Sequence, residues 1–357
     1  VAVQVLIGDR FGRVIDEVSP NVREVAWRLN KIGRATLVFS KRAAKATARN
    51  LQHGNRVLIR FSGDVGLPDW GGVIDPPRMW SGSEIEVSCY GIEYLLQFRR
   101  TDKTRAFDSV PVGRIIYQLL RETEAEQGLG LTFGAIWTGG RAHSPRYHFK
   151  ALWTIIEELI EAERCDVRFA PQLARGRITF QAEVYDRLGE DKSGRWALKE
   201  GRNVTEATFT EQGPILNDFA AAGGGTTWGE ERPTQIAYEQ DSDQLYGLRQ
   251  AGQVYSGVSQ DTILAIYAES EVRENAYPHT RLDLTVANRT PATYTRYGLG
   301  DVVRCILPTY GFDGYDQAVR VLARETDGLA GSCKLIVEEE RSPNVVPKGP
   351  GGESIEE

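Results

Sequence analysis

Gly300-Asp301-Val302-Val303-Arg304-Cys305-Ile306, then Ala318-Val319-Arg320-Val321-Leu322, then Cys333-Lys334-Leu335-Ile336-Val337 is the stretch whose reading decides the fold. It has the spacing of an earlier block: Gly54-Asn55-Arg56-Val57-Leu58-Ile59, Trp70-Gly71-Gly72-Val73-Ile74 and Glu84-Ile85-Glu86-Val87-Ser88. In each block Gly with Asn or Asp makes a turn, because these residues tolerate left-handed backbone. The alternating apolar positions that follow mark half-buried antiparallel strands. The chain thus carries two similar β-modules, with Gly54-Asn55 and Gly300-Asp301 expected in equivalent turns of two superposable barrels. Three copies of such a chain would present six similar units, enough for a ring.

Working outward, apolar alternation around Gly8-Asp9-Arg10-Phe11-Gly12 predicts a hairpin, and Trp27, Leu29, Ile32, Ala35, Leu37 and Phe39 continue the strands. Residues 41–51 are Ala-rich behind Ser40, which predicts a short helix. Strands at 56–61, 70–75 and 84–89 complete a first tube-like β-barrel domain over residues 1–100. Ile115, Ile116, Leu119 and Leu120, and again Leu152, Ile155, Ile156, Leu159 and Ile160, form helical stripes. With strand-like pieces at 129–133, 165–170, 177–184 and 195–198 they predict an α+β insert over 101–215. Residues 216–258 read as a crossing segment with strands, flexible around Gly223-Gly224-Gly225. A helix at 262–275 opens a second tube-like β-barrel domain over 259–341, and the Gly-, Pro- and Glu-rich tail 342–357 is expected to be disordered. The fold class is mainly β with an α+β insert: two tube-like antiparallel β-barrel modules, pseudo-duplicated and flanked by helices.

The chain has 357 residues, enough for two or three domains, and a net charge of -6, which argues against a dedicated nucleic-acid binder. Yet no acidic residue falls between Glu24 and Asp64, where nine cations lie. Arg28, Lys31, Arg34, Lys41, Arg42, Lys45 and Arg49 are therefore candidate interface residues for an acidic protein neighbour, the other readings being a solvated face and, third, nucleic acid. Trp80, following Pro76-Pro77-Arg78-Met79 in a loop-like setting, is a candidate interface aromatic, whereas Trp70 is expected in the core. The scattered Cys89, Cys165, Cys305 and Cys333 read as buried thiols, and no apolar run is long enough for a membrane span.

Little catalytic chemistry is legible. His143 and His148 lack the spacing of a metal pair, and no nucleophile elbow or zinc-protease motif occurs. Glu157, Glu158, Glu161 and Glu163 read as one solvated helix face, and the glycine runs lack the context of a phosphate loop. No catalytic, cofactor-binding or metal residue is expected. A cell-wall or carbohydrate-active hydrolase and a stand-alone adhesion module remain the competing readings.

Three passages carry a family likeness. Gly54 to Arg60, Trp70-Gly71-Gly72-Val73-Ile74-Asp75 and Ile85 to Leu96 form one; Asp241-Ser242-Asp243-Gln244-Leu245-Tyr246-Gly247 forms the second, with Asp243 where Ser is usual. Ala276-Tyr277-Pro278, Leu282 to Val286 and Tyr297-Gly298-Leu299-Gly300-Asp301-Val302-Val303-Arg304 form the third. In this order they resemble the tail hub (baseplate hub, or minor tail) proteins of long-tailed bacteriophages, related to contractile-tail hubs and type VI secretion spike-hub proteins. The resemblance implies a non-enzymatic homotrimer whose ring continues the tail tube and adapts six-fold to three-fold symmetry. Implied neighbours are the distal tail or tube protein, the tape-measure end, and a fibre, spike or receptor-binding protein. DNA would only pass through the channel during genome ejection, and the protein would sit at the virion tail tip after assembly in the host cytoplasm.

Overall fold

Alternation of apolar and polar side chains decides most of the architecture. In the computed structural model, residues 2–62, 66–101, 104–126, 128–224, 232–255, 258, 260–289, 293–310, 314–326 and 332–340 are described. The expectation of a disordered tail over 342–357 lies outside them.

The N-terminal module is built from β1 (Ala2–Gly8), β2 (Val14–Val18), β3 (Asn21–Arg28), β4 (Arg34–Ser40), β5 (Arg56–Ser62), β6 (Trp70–Ser81) and β7 (Glu84–Tyr90), followed by a helical turn, α1 (Glu93–Leu96). Ala35, Leu37 and Phe39 of β4 face Cys89, Val87 and Ile85 of β7, all buried, as the period of two requires. Strand β6 runs past the expected end at residue 75. A register shift between Ile74 and Arg78 carries it over Pro76-Pro77, and it pairs with β7 again through Ser81. Trp80 is thus in a strand, not a loop.

The expected helix over 41–51 forms consecutive turns instead. Lys41, Lys45 and Arg49 would stack like charges at i,i+4 with no carboxylate between them. Asn50 meanwhile donates to the Lys45 carbonyl (3.0 Å) and Asp16 (2.8 Å), local bonds that compete with the helical ladder.

The insert follows: short strands β8 (Thr104–Ala106) and β9 (Val110–Pro111), α2 (Val112–Glu126), β10 (Leu131–Ile136), short β11 (Ala142–His143) and β12 (Arg146–His148), α3 (Leu152–Glu163), β13 (Asp166–Ala174) and β14 (Arg177–Tyr185). The sheet β10-β14-β13 receives the apolar stripes of both helices, including fully buried Ile116, Leu120, Ile155 and Ile156.

The remaining elements are β15 (Ala197–Lys199), β16 (Val204–Gln212), β17 (Asp218–Gly223), β18 (Thr234–Tyr238), α4 (Gln240–Tyr246), β19 (Gln250–Tyr255), α5 (Asp261–Asn275), β20 (His279–Ala287), β21 (Val302–Leu307), β22 (Tyr315–Thr326) and β23 (Ser332–Glu339). The supposed flexible crossing is partly a strand: β17 lies between β18 and β19 and buries Phe219 and Ala221, while 225–231 fall outside the described residues. Helix α5 packs on this small sheet through Leu264, Ala268 and Val272. Residues 209–281 form a compact unit of their own, and 1–208 with 282–337 form another.

One sheet of 13 strands, formed mostly by that larger unit, runs β16-β20-β23-β22-β3-β4-β7-β6-β5-β1-β2, with β21 beside β22 and β15 beside β21. The order β3-β4-β7-β6-β5 is repeated by β16-β20-β23-β22-β21, and each set follows the same order along the chain. The duplication read from the sequence is therefore present in strand order.

Candidate assembly surface

The two Gly turns have matching geometry. Gly54 has φ 88° and Gly300 φ 83°. The Gly54 N–H donates to the Ile74 carbonyl and the Ile74 N–H to the Asn55 carbonyl, both at 2.8 Å. Equivalently, the Gly300 N–H donates to Val321 (2.8 Å) and the Val321 N–H to Asp301 (3.0 Å). The pairings Arg56↔Val73 and Val302↔Arg320 then carry β5 along β6 and β21 along β22.

Where β21 ends its pairing with β22, β3 takes over. The Leu29 N–H donates to the Leu322 carbonyl at 2.8 Å, and the antiparallel ladder continues through Ala323↔Arg28, Arg324↔Trp27, Glu325↔Ala26 and Thr326↔Val25. This junction joins the two modules edge to edge. Beside it Arg324 is buried between the rings of Tyr294 (5.5 Å) and Tyr297 (5.1 Å), donating to the Tyr294 carbonyl. Glu24 hydrogen-bonds Glu325; that bond and burial push the Glu24 carboxyl up to about 7, against the opposing fields of Arg28 and Arg34. Pattern reading missed this junction. The available signal was the excess length of β22, 12 residues against 6 in β21.

The expected interface residues do not form one patch. Lys31 pairs with Glu157 (3.0 Å) and Lys45 with Asp16 (2.9 Å), which with Asn50 holds the Asp16 carboxyl below its usual range. Arg34 lies over the Tyr90 ring, and the Lys41 ammonium donates to the Gly82 carbonyl. Arg28 is half-buried near Glu24, whereas Arg42 and Arg49 are exposed and enter no ion pair among the described residues. Trp80 is 57% exposed and Met79 49%, with the Arg78 guanidinium 4.9 Å from the Trp80 ring. A second exposed apolar group, Ile236, Tyr238 and Val254, lies on β18 and β19.

The residues screened for catalysis are occupied elsewhere. His143 is buried against Glu163 (3.3 Å), while exposed His148 meets the Thr104 hydroxyl (3.2 Å). Glu163 is not on a solvated face. Burial raises its carboxyl, but hydrogen bonds from His143 and Arg141 outweigh burial and hold it down at about 2. Glu157 and Glu158 instead pair with Lys31 and Lys150. Among the described residues no group of three His, Cys, Asp or Glu is placed to hold a metal ion, and no helix is long and apolar enough to cross a membrane. All four cysteines are buried and free, and burial pushes the Cys165 and Cys305 thiols up to about 12.

No protein-family model matches the sequence, and no curated protein matches it. The fold, however, is that of phage tail and spike-hub proteins. The 43 kDa tail protein of prophage MuSo2 from Shewanella oneidensis aligns with TM-score 0.63 at 13% identity, over 94% of this chain and 98% of that one. A tail protein from Neisseria meningitidis aligns with TM-score 0.60 at 13% identity, over 95% and 97%. An Escherichia coli type VI secretion component, itself structurally similar to the bacteriophage T4 tail proteins gp27 and gp5, aligns with TM-score 0.52 at 14% identity, over 91% and 75%.

Proposed function

We propose that this chain is a structural hub protein of a phage tail tip. Three copies form a ring of six β-modules that continues the tail tube and adapts six-fold to three-fold symmetry. The observation that carries this reading is the module junction: two modules of equal strand order are already joined edge to edge in one chain, which supplies one step of a ring. The likeness to tail proteins over nearly the whole chain supports the same reading.

In this role the protein is not an enzyme. It contacts the distal tail or tube protein, the tape-measure end and a fibre, spike or receptor-binding protein, and lets DNA through its channel. It is assembled in the host cytoplasm and resides in the virion. The division along the sequence at 1–100, 101–215, 216–258 and 259–341 belongs to this proposal, with β16 completing the second module and α5 packing in the compact unit 209–281. The exposed Lys41, Arg42 and Arg49 face an acidic neighbour in the tail, where charge sets register and association rate.

Native mass spectrometry and electron microscopy of the purified chain test the assignment. A trimer with six modules about one axis is expected; a monomer at every concentration would overturn it. Charge reversal at Lys41, Arg42 and Arg49 should leave the isolated fold intact and reduce tail assembly.

A further inference from the structure

We infer that the free edge of β6 at Arg78–Ser81 is the intersubunit seam, and that its occupant is strand β16 of a second copy of this chain. The inference rests on the ring reading and names the surface that closes it. Strands β6 and β22 are both 12 residues long and take the same place in their modules. Each is paired by its neighbour only over its first part: β5 covers Trp70 to Val73, and β21 covers Tyr315 to Arg320. The Gly turns then cap Ile74 and Val321 identically, and β5 and β21 turn away.

On β22 the vacated slot is filled by β3, which pairs with the last four residues, Ala323 to Thr326. On β6 the corresponding last four residues are Arg78 to Ser81. They pair with β7 on one side, and among the described residues no strand lies on the other. The strand that would fill this slot by the internal template is the counterpart of β3, which is β16. Strand β16 ends the sheet, with β20 on one side and no described strand on the other. Among the described residues there are therefore one filled slot, one empty slot and one strand of matching position whose outer side carries only the isolated bridge from Glu200 to Val204.

Chemistry agrees with this occupant. An exposed strand edge carrying apolar side chains invites pairing unless something covers it, and here Met79 and Trp80 are both about half exposed on that edge. The offered strand, Val-Thr-Glu-Ala-Thr-Phe-Thr-Glu-Gln, is rich in Thr and bears only acidic charge, opposite in sign to Arg78, whose guanidinium also donates to the Leu51 carbonyl of its own chain. Because unlike edges meet, the contact is head-to-tail, and it either closes a ring or grows a fibre. Pro76 and Pro77 lie in the bulge, before the segment whose N–H groups the seam uses.

Two measurements on the full chain test the seam. Ser81→Cys combined with Thr208→Cys or with Glu206→Cys should give disulfide-linked dimers and trimers under mild oxidation, while each single variant stays unlinked; the native thiols are all buried. Trp80→Lys should raise the concentration at which the oligomer dissociates by about tenfold or more, with the melting temperature of the monomer unchanged. A trimer that forms equally well with Trp80→Lys and gives no cross-link in either double variant would overturn the seam and leave the ring standing. A chain that stays monomeric at every concentration would overturn both.

Discussion

In the first module the hairpin β3–β4 is closed by residues 29–33; in the second, the matching strands β16 and β20 are separated by residues 213–278, which contain a sheet and a helix with a core of their own. The outer strand differs too: β1 lies antiparallel to β5, whereas β15 lies parallel to β21. What the modules share is five strands, their order and the Gly turn. Register is thus held by the inner strands, where a slip would turn every apolar side chain outward. A hairpin loop can meanwhile absorb a large insertion, since closure entropy grows only with the logarithm of loop length.

The largest difference between the modules is expected at the two turn glycines. A Cβ on Gly300 would sit 2.3 Å from the Leu188 carbonyl oxygen, whereas one on Gly54 would meet nothing within 4 Å, although both have positive φ. Gly300→Ala adds a backbone clash to left-handed strain and should cost on the order of 4 kcal/mol, against about 1 kcal/mol for Gly54→Ala. Urea denaturation of both variants checks it. Equal losses would mean that the surroundings of the two turns do not matter.

The next residue of each turn sharpens it. Asp301 accepts from the Gly298 N–H (2.7 Å), the Glu190 N–H (2.8 Å) and the Lys192 ammonium (2.7 Å). Asn55 does the reverse, donating its amide to the carbonyls of Arg49 (2.7 Å) and Asn50 (3.1 Å). The turns share shape but have opposite polarity. Asp301→Ala strands a paired lysine and should cost about 3 kcal/mol. Asn55→Asp sets a carboxylate against two carbonyls and should cost about 2 kcal/mol, with thermal melts as the readout.

This polarity also marks how far sequence reasoning reaches. The Gly-Asn and Gly-Asp pairs and the alternating strands were legible because turn chemistry and side-chain period are local, and the helical stripes of α2 and α3 were legible for the same reason. The small unit was not, because α5 lies next to the second module in sequence but finds its apolar partners on β17 and β18. Residues 41–51 misled because Ala content favours a helix while their like charges and Asn50 oppose one. For the assembly surface, the sequence pointed to cations and to Trp80. The pairing of Lys31 with Glu157 and of Lys45 with Asp16 depends on tertiary neighbours that spacing does not reveal. The bare edge beside Trp80 becomes visible only once the filled slot on β22 is known.

The smallest expected effect separates the internal junction from the proposed seam. Glu24 and Glu325 share a hydrogen bond across the β3–β22 junction, and the Glu24 carboxyl is raised to about 7 from 4.5. A carboxyl whose pKa is higher folded than unfolded contributes stability that is fully present below about pH 4.5 and is lost as pH rises through about 7. Because Glu24 is only partly buried, solvent screens the pair, and the loss between those limits should be on the order of 1 kcal/mol. Glu24→Gln should keep a hydrogen bond to Glu325 without the titration and flatten the pH dependence across this window in chemical denaturation. Counted from the strand end, Trp80 stands on β6 where Glu325 stands on β22. The seam has no carboxyl at that position, so trimer dissociation should be flat across the same pH range while monomer stability falls. A trimer that loosened in parallel with the monomer would show that the two contacts are not chemically distinct.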